Sequence, residues 1–180
     1  MKKLLFTIAL LIPISSLFAQ TYDEKISYVR TQFSTIENNI DNYTYKQYIY
    51  QPEEDYPPYA YYDFWFDSNG ELVKIQESMG EEGYYTERNY YFDDKNLFFY
   101  FSSDNEPGEE SYEEIDYFIT EYRVYFYNGE IFEFLSKYKD ESDKRKISDI
   151  KNEKVEWEPE QIEAILELSK EAIEYSKLAE

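Results

Sequence analysis

The first regular pattern of apolar positions in the chain has the period of an α-helix. From Tyr22 onward, apolar residues recur at alternating spacings of four and three, which places them on one face of a helix. Thr21 and Glu24 have the spacing of a capping box, in which each side chain accepts a hydrogen bond from the backbone N–H of the other. The pattern predicts a helix over about 21–42. Its apolar stripe consists of Tyr22, Ile26, Val29, Phe33, Ile36 and Ile40.

The apolar period changes to two from Tyr43 onward, which is typical of β-strands. Residues 43–50 are predicted to form a first strand, and a proline-containing loop over 51–58 follows it. Three β-hairpins come next, two of them with Asn-Gly turns, which tolerate the left-handed backbone angles of a type I′ turn. The predicted hairpins are 59–66 with 72–78 across Asn69-Gly70, 84–92 with 97–103 across Asp93–Asn96, and 117–127 with 131–138 across Asn128-Gly129.

The three hairpins repeat one phrase, namely an aromatic pair, a short turn, an acidic or polar residue, and then Leu or Ile. Its uneven spacing indicates a degenerate hairpin repeat and not a solenoid. The phrase occurs as Trp65-Phe66 with Glu71-Leu72, as Tyr91-Phe92 with Asn96-Leu97, and as Tyr125-Phe126 with Glu130-Ile131.

A second helix is predicted over about 159–179, after a highly charged linker at 139–157. Pro159 suits the first helical position, where its missing N–H costs no hydrogen bond, and Trp157 can pack on Ile162 across the helix start. The chain therefore predicts one α+β domain over 20–180. We expect an antiparallel β-meander of six or seven strands, with an N-terminal and a C-terminal helix packed on one face.

The other face of this sheet is the candidate functional surface. In the first hairpin, Phe66 is expected to pair with Val73 on an apolar face, and Trp65 with Lys74 on a mixed face. The later hairpins carry aromatic residues on both faces, so two helices on one side would leave an aromatic platform on the other. The predicted platform comprises Tyr61, Trp65, Tyr91, Phe98, Tyr100, Tyr125 and Phe132.

Aromatic rings suit a binding surface because they offer a large contact area at low entropic cost, with a polar group on Tyr and Trp. Large exposed apolar patches are rare on monomers, however. Three alternatives therefore stay open. The linker at 139–157 could cover the rings, a curled sheet edge could cover them, or a homodimer could bury them.

Residues 1–19 have the three parts of a cleavable signal peptide. Lys2 and Lys3 precede a short apolar segment, and small residues precede a predicted cut after Ala19. The apolar segment is shorter than the roughly 20 residues of a membrane span, so we expect a periplasmic or secreted protein without stable membrane insertion after cleavage. The alternative is an uncleaved N-terminal anchor.

The charge of the chain excludes some partners. Its formal net charge is −21, and loss of residues 1–19 would leave 16 basic and 39 acidic residues. Nucleic acids and anionic membrane surfaces reward Lys and Arg, so neither is expected to bind. A basic protein partner would be attracted. The alternative explanation of the charge is that it keeps an aromatic-rich chain soluble.

The missing residue types exclude several chemistries. The chain has no His and no Cys, which removes Ser-His-Asp and Cys-His catalysis, disulfides and the usual zinc sites. It has no glycine-rich phosphate loop. With 39 acidic residues, a pair of carboxylates at a catalytic separation is expected by chance, so no catalytic, metal or cofactor site is predicted.

Two phrases resemble those of a broad group of exported bacterial proteins with aromatic Y-Y-F-D-x-G-type β-hairpin repeats. They are residues 88–93, Arg-Asn-Tyr-Tyr-Phe-Asp, and residues 123–129, Arg-Val-Tyr-Phe-Tyr-Asn-Gly. The resemblance spans most of the chain after residue 19. It implies a signal peptide, an early helix, hairpins and a C-terminal helix, and it carries over no functional residue.

These observations favour an exported, non-enzymatic binding protein. The leading hypothesis is an inhibitor- or immunity-like protein that recognises a basic protein partner through the acidic aromatic face. The alternative is an envelope glycan-binding module that uses the same rings. A carboxylate-dependent glycosidase is a third, more distant hypothesis.

Overall fold

A computed structural model describes residues 20–52, 59–81, 83–107 and 117–180. The predicted signal peptide and most of the predicted loop at 51–58 lie outside the described residues. Two helices flank eight strands in chain order. They are α1 (Tyr22–Asn38), β1 (Thr44–Tyr50), β2 (Ala60–Phe66), β3 (Leu72–Glu81), β4 (Tyr84–Asp93), β5 (Asn96–Pro107), β6 (Tyr117–Tyr127), β7 (Glu130–Lys139), β8 (Glu153–Lys154) and α2 (Pro159–Ser176).

The strands form one sheet in the order β1 to β8, and each pairs antiparallel with the next. The predicted α+β class, the antiparallel meander and the two helices at its ends are confirmed. The seven long strands match the predicted ones. The eighth, β8, has only two residues and lies in the charged linker, where so short a segment leaves no alternating pattern to detect.

Both helices begin where the sequence predicts. At α1, Thr21 N donates to Glu24 Oε2 at 2.8 Å and Glu24 N donates to Thr21 Oγ1 at 3.3 Å. At α2, Pro159 occupies the first turn and Glu158 N donates to Gln161 Oε1 at 2.9 Å. α1 ends at Asn38 and a 3₁₀ turn, Ile40–Asn42, completes the predicted helical span.

A β-bulge follows the turn in each of the three predicted hairpins. Phe66 pairs with Leu72 while Trp65 pairs with Lys74, which leaves Val73 as the extra residue. The second and third hairpins repeat this arrangement, with Phe98 and Phe132 as the extra residues. The repeated phrase in the sequence therefore corresponds to a repeated bulged hairpin, and not only to a repeated turn.

Each bulge places two consecutive side chains on the same face of the sheet, although side chains otherwise alternate. The pairs are Val73 with Lys74, Phe98 with Phe99, and Phe132 with Glu133. All three pairs face α1. Phe98, Phe99 and Val73 pack with Val29 of α1 in one cluster, and Lys74 bonds Glu37 of α1.

The two helices cover opposite faces, so the prediction that they share one face is wrong. α1 packs on a cluster that includes Tyr91 and Phe99. α2 packs on a cluster that includes Tyr90 and Tyr100. Tyr90 and Tyr91 are neighbours in one strand and point to opposite faces. With aromatic residues on both faces, each face buries apolar area only when it has its own helix. We call these the α1 face and the α2 face.

Candidate binding surface

The α1 helix covers the central aromatic rings of its face through ring-to-ring contacts. The centroid of the Phe33 ring lies 5.1 Å from that of Tyr91 and 5.6 Å from that of Phe99. The Tyr28 ring meets Phe98 edge-on at 6.1 Å. These separations are those of packed aromatic pairs, so the helix seals this part of the sheet from solvent.

Polar contacts hold both ends of α1 on the sheet. At its C-terminal end, Glu37 Oε1 accepts from Lys74 Nζ at 2.8 Å and from Tyr91 Oη at 3.0 Å. At its N-terminal end, Tyr22 Oη donates to the buried Glu133. Burial, and then the nearby Glu37 carboxylate, raises the pKa of Tyr91, so this ring stays neutral and keeps donating to Glu37.

Tyr28 lies between the two ends of α1, and its Oη donates to Asp93 Oδ2 at 2.5 Å. Burial, and then this bond, raises the pKa of Tyr28. All three anchors pair a tyrosine hydroxyl with a carboxylate, which explains part of the unusual tyrosine and acid content by structure alone.

The structure separates the seven predicted platform residues into three groups. Tyr91 and Phe98 are buried under α1, and Tyr125 and Phe132 are half-buried in the same cluster. Tyr100 is buried on the opposite face, within the cluster under α2. Tyr61 is exposed and Trp65 is half-buried, and neither belongs to the cluster under α1.

The expectation of one open platform of seven rings is therefore wrong in two respects. The bulge at Phe98 shifts the alternation by one residue and turns Tyr100 to the α2 face. The same shift at Phe132 sends Phe134 to the α2 face. The remaining central rings are covered by α1, a helix that the sequence placed on the other side.

An uncovered region remains at the β1 edge of the α1 face. The cluster under α1 contains strand residues from β3 to β7 and, within the described ranges, none from β1 or β2. Three cross-strand pairs lie there, Tyr45 with Trp65, Gln47 with Asp63, and Ile49 with Tyr61. We call these six residues the β1–β2 patch.

The patch exposes apolar area next to polar groups. Tyr45, Ile49 and Tyr61 are 52%, 46% and 41% exposed. Tyr45 Oη donates to Asp63 Oδ1 at 2.5 Å, and Gln47 Nε2 donates to the same oxygen at 2.8 Å. Burial, followed by the hydrogen bond to Asp63, raises the pKa of Tyr45 to about 12. The Tyr45 ring lies 5.6 Å from that of Trp65.

These bonds fix the shape of the patch. Asp63 holds Tyr45 and Gln47 across the strand pair, and Lys74 Nζ lies 5.1 Å from the centre of the Trp65 ring. Rigid aromatic side chains lose little entropy when a partner covers them. Of its residues only Tyr61 and Trp65 were among the predicted ones, because Tyr45 and Ile49 lie in a strand whose edge position is not visible in the sequence.

The most buried carboxylate of the α2 face is fully engaged in the fold. Glu77 accepts hydrogen bonds from Tyr62 at 3.1 Å, Tyr90 at 3.0 Å and Arg88 at 3.0 Å. Burial, and then the Glu77 charge, raises the pKa of both tyrosines. This network satisfies a carboxylate that would otherwise be costly to bury.

Two further observations concern metal binding and membrane insertion. Among the described residues, no group of three or more acidic side chains is arranged to hold a metal ion. No helix in the described part of the chain is long and apolar enough to cross a membrane.

Comparison with known proteins identifies no relative, since no family model, curated protein or solved structure matches this chain.

Proposed function

We propose that this chain is an exported, non-enzymatic binding protein that recognises a basic protein partner through the β1–β2 patch, in the manner of an inhibitor or immunity protein. The observation that carries the proposal is the exposure of Tyr45, Ile49 and Tyr61 side by side, on a sheet whose central aromatic rings are packed under helices. Clustered exposed rings on a rigid sheet are typical of interaction surfaces.

The charge of the chain supports a basic partner. At a formal −21, the chain attracts basic surfaces over several ångströms and repels acidic ones. Within the patch, Asp63 is the one charged residue, and the adjacent Lys74 is already paired with Glu37. The patch is therefore an apolar surface with a negative centre, inside a strongly negative field.

The buried polar groups support a role without catalysis. Glu77 is the carboxylate best shielded from solvent on its face, yet three donors from the protein already occupy it. A general acid or base needs an oxygen within reach of a substrate proton. Glu77 has the environment of a structural carboxylate.

A glycan ligand is the second candidate, and one row of side chains favours it. Gln47, Asp63 and Gln76 lie opposite one another across β1 to β3. Planar amides and carboxylates of this kind bond pairs of sugar hydroxyls, and the neighbouring Trp65 ring offers a face on which a sugar can stack.

A capture experiment separates these functions. Tagged residues 20–180 are incubated with native envelope and culture-medium fractions at low and high salt. A basic protein that is retained at low salt and elutes as salt rises supports the proposal. A retained polysaccharide whose binding ignores salt supports the glycan alternative, because most sugars are uncharged. Retention of neither contradicts both.

A further inference from the structure

β1 is an edge strand, and its outer side is an incomplete hydrogen-bonding ladder. At the other end of the sheet, β7 is partly covered, because β8 pairs with it at Leu135 and Ser136 and Val155 N donates to Phe134 O at 3.0 Å. At β1, Gln47 N donates to Glu180 O at 3.3 Å and Glu180 N donates to Gln47 O at 3.4 Å. The backbone groups of Gln47 therefore point away from β2.

The direction of the Gln47 backbone N–H and C=O determines the direction of these groups in the neighbouring residues. Along a strand, the N–H and C=O of one residue point to the same side, and those of the next residue point to the other. The outward groups of β1 are therefore those of Tyr45, Gln47 and Ile49. Among the described residues, Gln47 is the one member of this set whose outward groups bond to another backbone.

The bridge from Glu180 to Gln47 shows that the outward backbone groups of this edge can bond to another backbone segment. Its two bonds, at 3.3 and 3.4 Å, lie just beyond the usual 2.7–3.2 Å of an N–H···O bond. The neighbouring Ala179 is buried and accepts from Lys46 Nζ at 3.0 Å, so an added strand would displace Glu180 and leave Ala179 in place. An added strand would gain more, because Tyr45 and Ile49 each offer a donor and an acceptor on either side of Gln47.

The side chains around the edge select for positive charge. Asp63 lies on the α1 face beside Tyr45. On the α2 face, Glu171 accepts from Tyr175 Oη at 2.7 Å, and the Tyr175 ring stacks on Tyr48 at 5.0 Å. Alternate side chains of an added strand share one face. Lysines on the α1 face would therefore lie near Asp63, whereas the α2 face also carries Lys46 of β1, whose Nζ donates to Ala179 O at 3.0 Å. A second copy of this chain, with its own formal net charge of −21, would be repelled from this edge.

We propose that the outer edge of β1 docks an extended, basic segment of the partner, which displaces Glu180 and adds as a further strand opposite Tyr45, Gln47 and Ile49. This inference rests on the proposed function and specifies how the partner binds. Backbone hydrogen bonds supply the docking, and the β1–β2 patch contacts the side chains of the added strand on one face.

The test uses an eight-residue peptide of alternating lysine and valine, with the same peptide N-methylated at every backbone amide and an alternating glutamate–valine peptide as controls. We expect the lysine–valine peptide to bind residues 20–180 and to slow amide hydrogen exchange at Tyr45 and Ile49. We expect both control peptides to bind at least about tenfold more weakly. Equal binding of the N-methylated peptide, or amide exchange that stays unchanged at Tyr45 and Ile49, overturns the proposal.

Two variants at Ile49 distinguish the contribution of its backbone N–H to peptide binding from that of its side chain. Ile49→Pro removes the outward N–H without removing a ladder bond to β2, and should weaken peptide binding about tenfold. Ile49→Ala keeps the N–H and loses a similar side-chain contact, so it should bind more tightly than the proline variant. Equal affinity of the two variants overturns the proposal. If Ile49→Pro fails to fold, the exchange measurement on the wild-type protein decides.

Removal of Glu180 is an independent test, since it should strengthen peptide binding several-fold by freeing the backbone groups of Gln47.

Other outcomes would assign the edge differently. Self-association of the wild-type protein in analytical ultracentrifugation, abolished by Ile49→Pro, would assign the edge to a second copy and overturn the inference. If the peptide does not bind, but wild-type protein still captures a basic partner and the Tyr61→Ala variant does not, then the edge-docking inference is wrong and the proposed function stands. If no basic partner is captured, the proposed function itself is wrong.

Discussion

Glu37, in the last turn of α1, holds Lys74 of β3 through a 2.8 Å ion pair, and this contact marks the border of the surface that α1 covers. Lys74 Nζ lies 5.2 Å from the centre of the Tyr91 ring, which α1 buries, and 5.1 Å from that of Trp65, which belongs to the β1–β2 patch. The pair therefore joins the covered core to the open patch.

Glu37→Gln should destabilise the protein by about 1–2 kcal/mol, because it leaves the buried Lys74 ammonium without a countercharge. Urea denaturation of the variant measures the effect. Glu130→Gln, at an exposed position, is the charge-matched control and should change the free energy of unfolding by less than about 0.5 kcal/mol. Equal effects of the two changes would show that the ion pair contributes nothing beyond general charge.

Phe98→Ala and Tyr61→Ala should affect stability very differently, although the sequence placed both rings on one platform. Phe98 is 2% exposed beneath α1, and its truncation should cost about 3–5 kcal/mol. Tyr61→Ala should cost less than about 1 kcal/mol, because Tyr61 is 41% exposed and lies outside both buried clusters. Thermal and urea unfolding of the two variants check this. A stable Phe98→Ala protein would mean that α1 does not cover the sheet.

The free energy of unfolding should fall steeply above about pH 10. Burial raises the pKa of Tyr100 to about 12, with a smaller opposing effect from its hydrogen bond to Ser102, and burial also raises the pKa of Tyr90. Both rings keep their protons in the folded state after an unfolded chain would lose them near pH 10. The stability is therefore complete below pH 10 and is lost as the pH rises, at roughly 1.4 kcal/mol per pH unit for each buried tyrosine.

Urea unfolding between pH 8 and 12, with tyrosinate absorbance recorded in parallel, measures this dependence. Tyr100→Phe should make the alkaline slope shallower than in the wild-type protein. A wild-type stability that stays constant up to pH 12, with the tyrosines ionised in the folded state, would contradict the burial of these rings.

Gly129→Ala should destabilise the third hairpin by about 1 kcal/mol. Gly129 has a φ of +78° and follows Asn128 at +51°, so the turn needs two consecutive left-handed residues. A Cβ at Gly129 meets no atom within 4 Å, which leaves backbone strain as the cause of the loss. Gly80→Ala is the comparison, since its cost would come from the close Tyr84 carbonyl oxygen at 3.3 Å.

The elements of this fold could be predicted because each has a local signal. Thr21 and Glu24 make the capping box that starts α1, and Pro159 starts α2. The Asn128-Gly129 pair forms a turn at positive φ, as the sequence indicated. Capping, turn chemistry and periodicity act over a few residues, so a single sequence carries them.

The faces of the sheet were less predictable, because one extra residue reverses the alternation. A bulge residue such as Phe98 is indistinguishable in sequence from a regular strand residue, and everything after it moves to the other face. The aromatic residues on both sides of the later hairpins were the available signal that each side needs a cover. Which helix covers which side depends on long-range packing and has no local signature.

The β1–β2 patch was only half visible for the same reason. Tyr61 and Trp65 could be found because their hairpin is regular up to its bulge. Tyr45 and Ile49 became candidates only through the strand order, which puts β1 at the edge, and through the extent of α1, which stops short of it.

The most direct test of the central claim is the affinity of the captured basic partner for three variants of residues 20–180. Tyr61→Ala and Trp65→Ala remove rings of the patch. Tyr138→Ala removes a ring of similar exposure, 55%, on the opposite face. We predict that each patch variant weakens binding at least about tenfold while the Tyr138 variant binds as the wild-type protein does. Equal affinity in all three, with folding intact, would contradict the assignment of the patch as the binding surface.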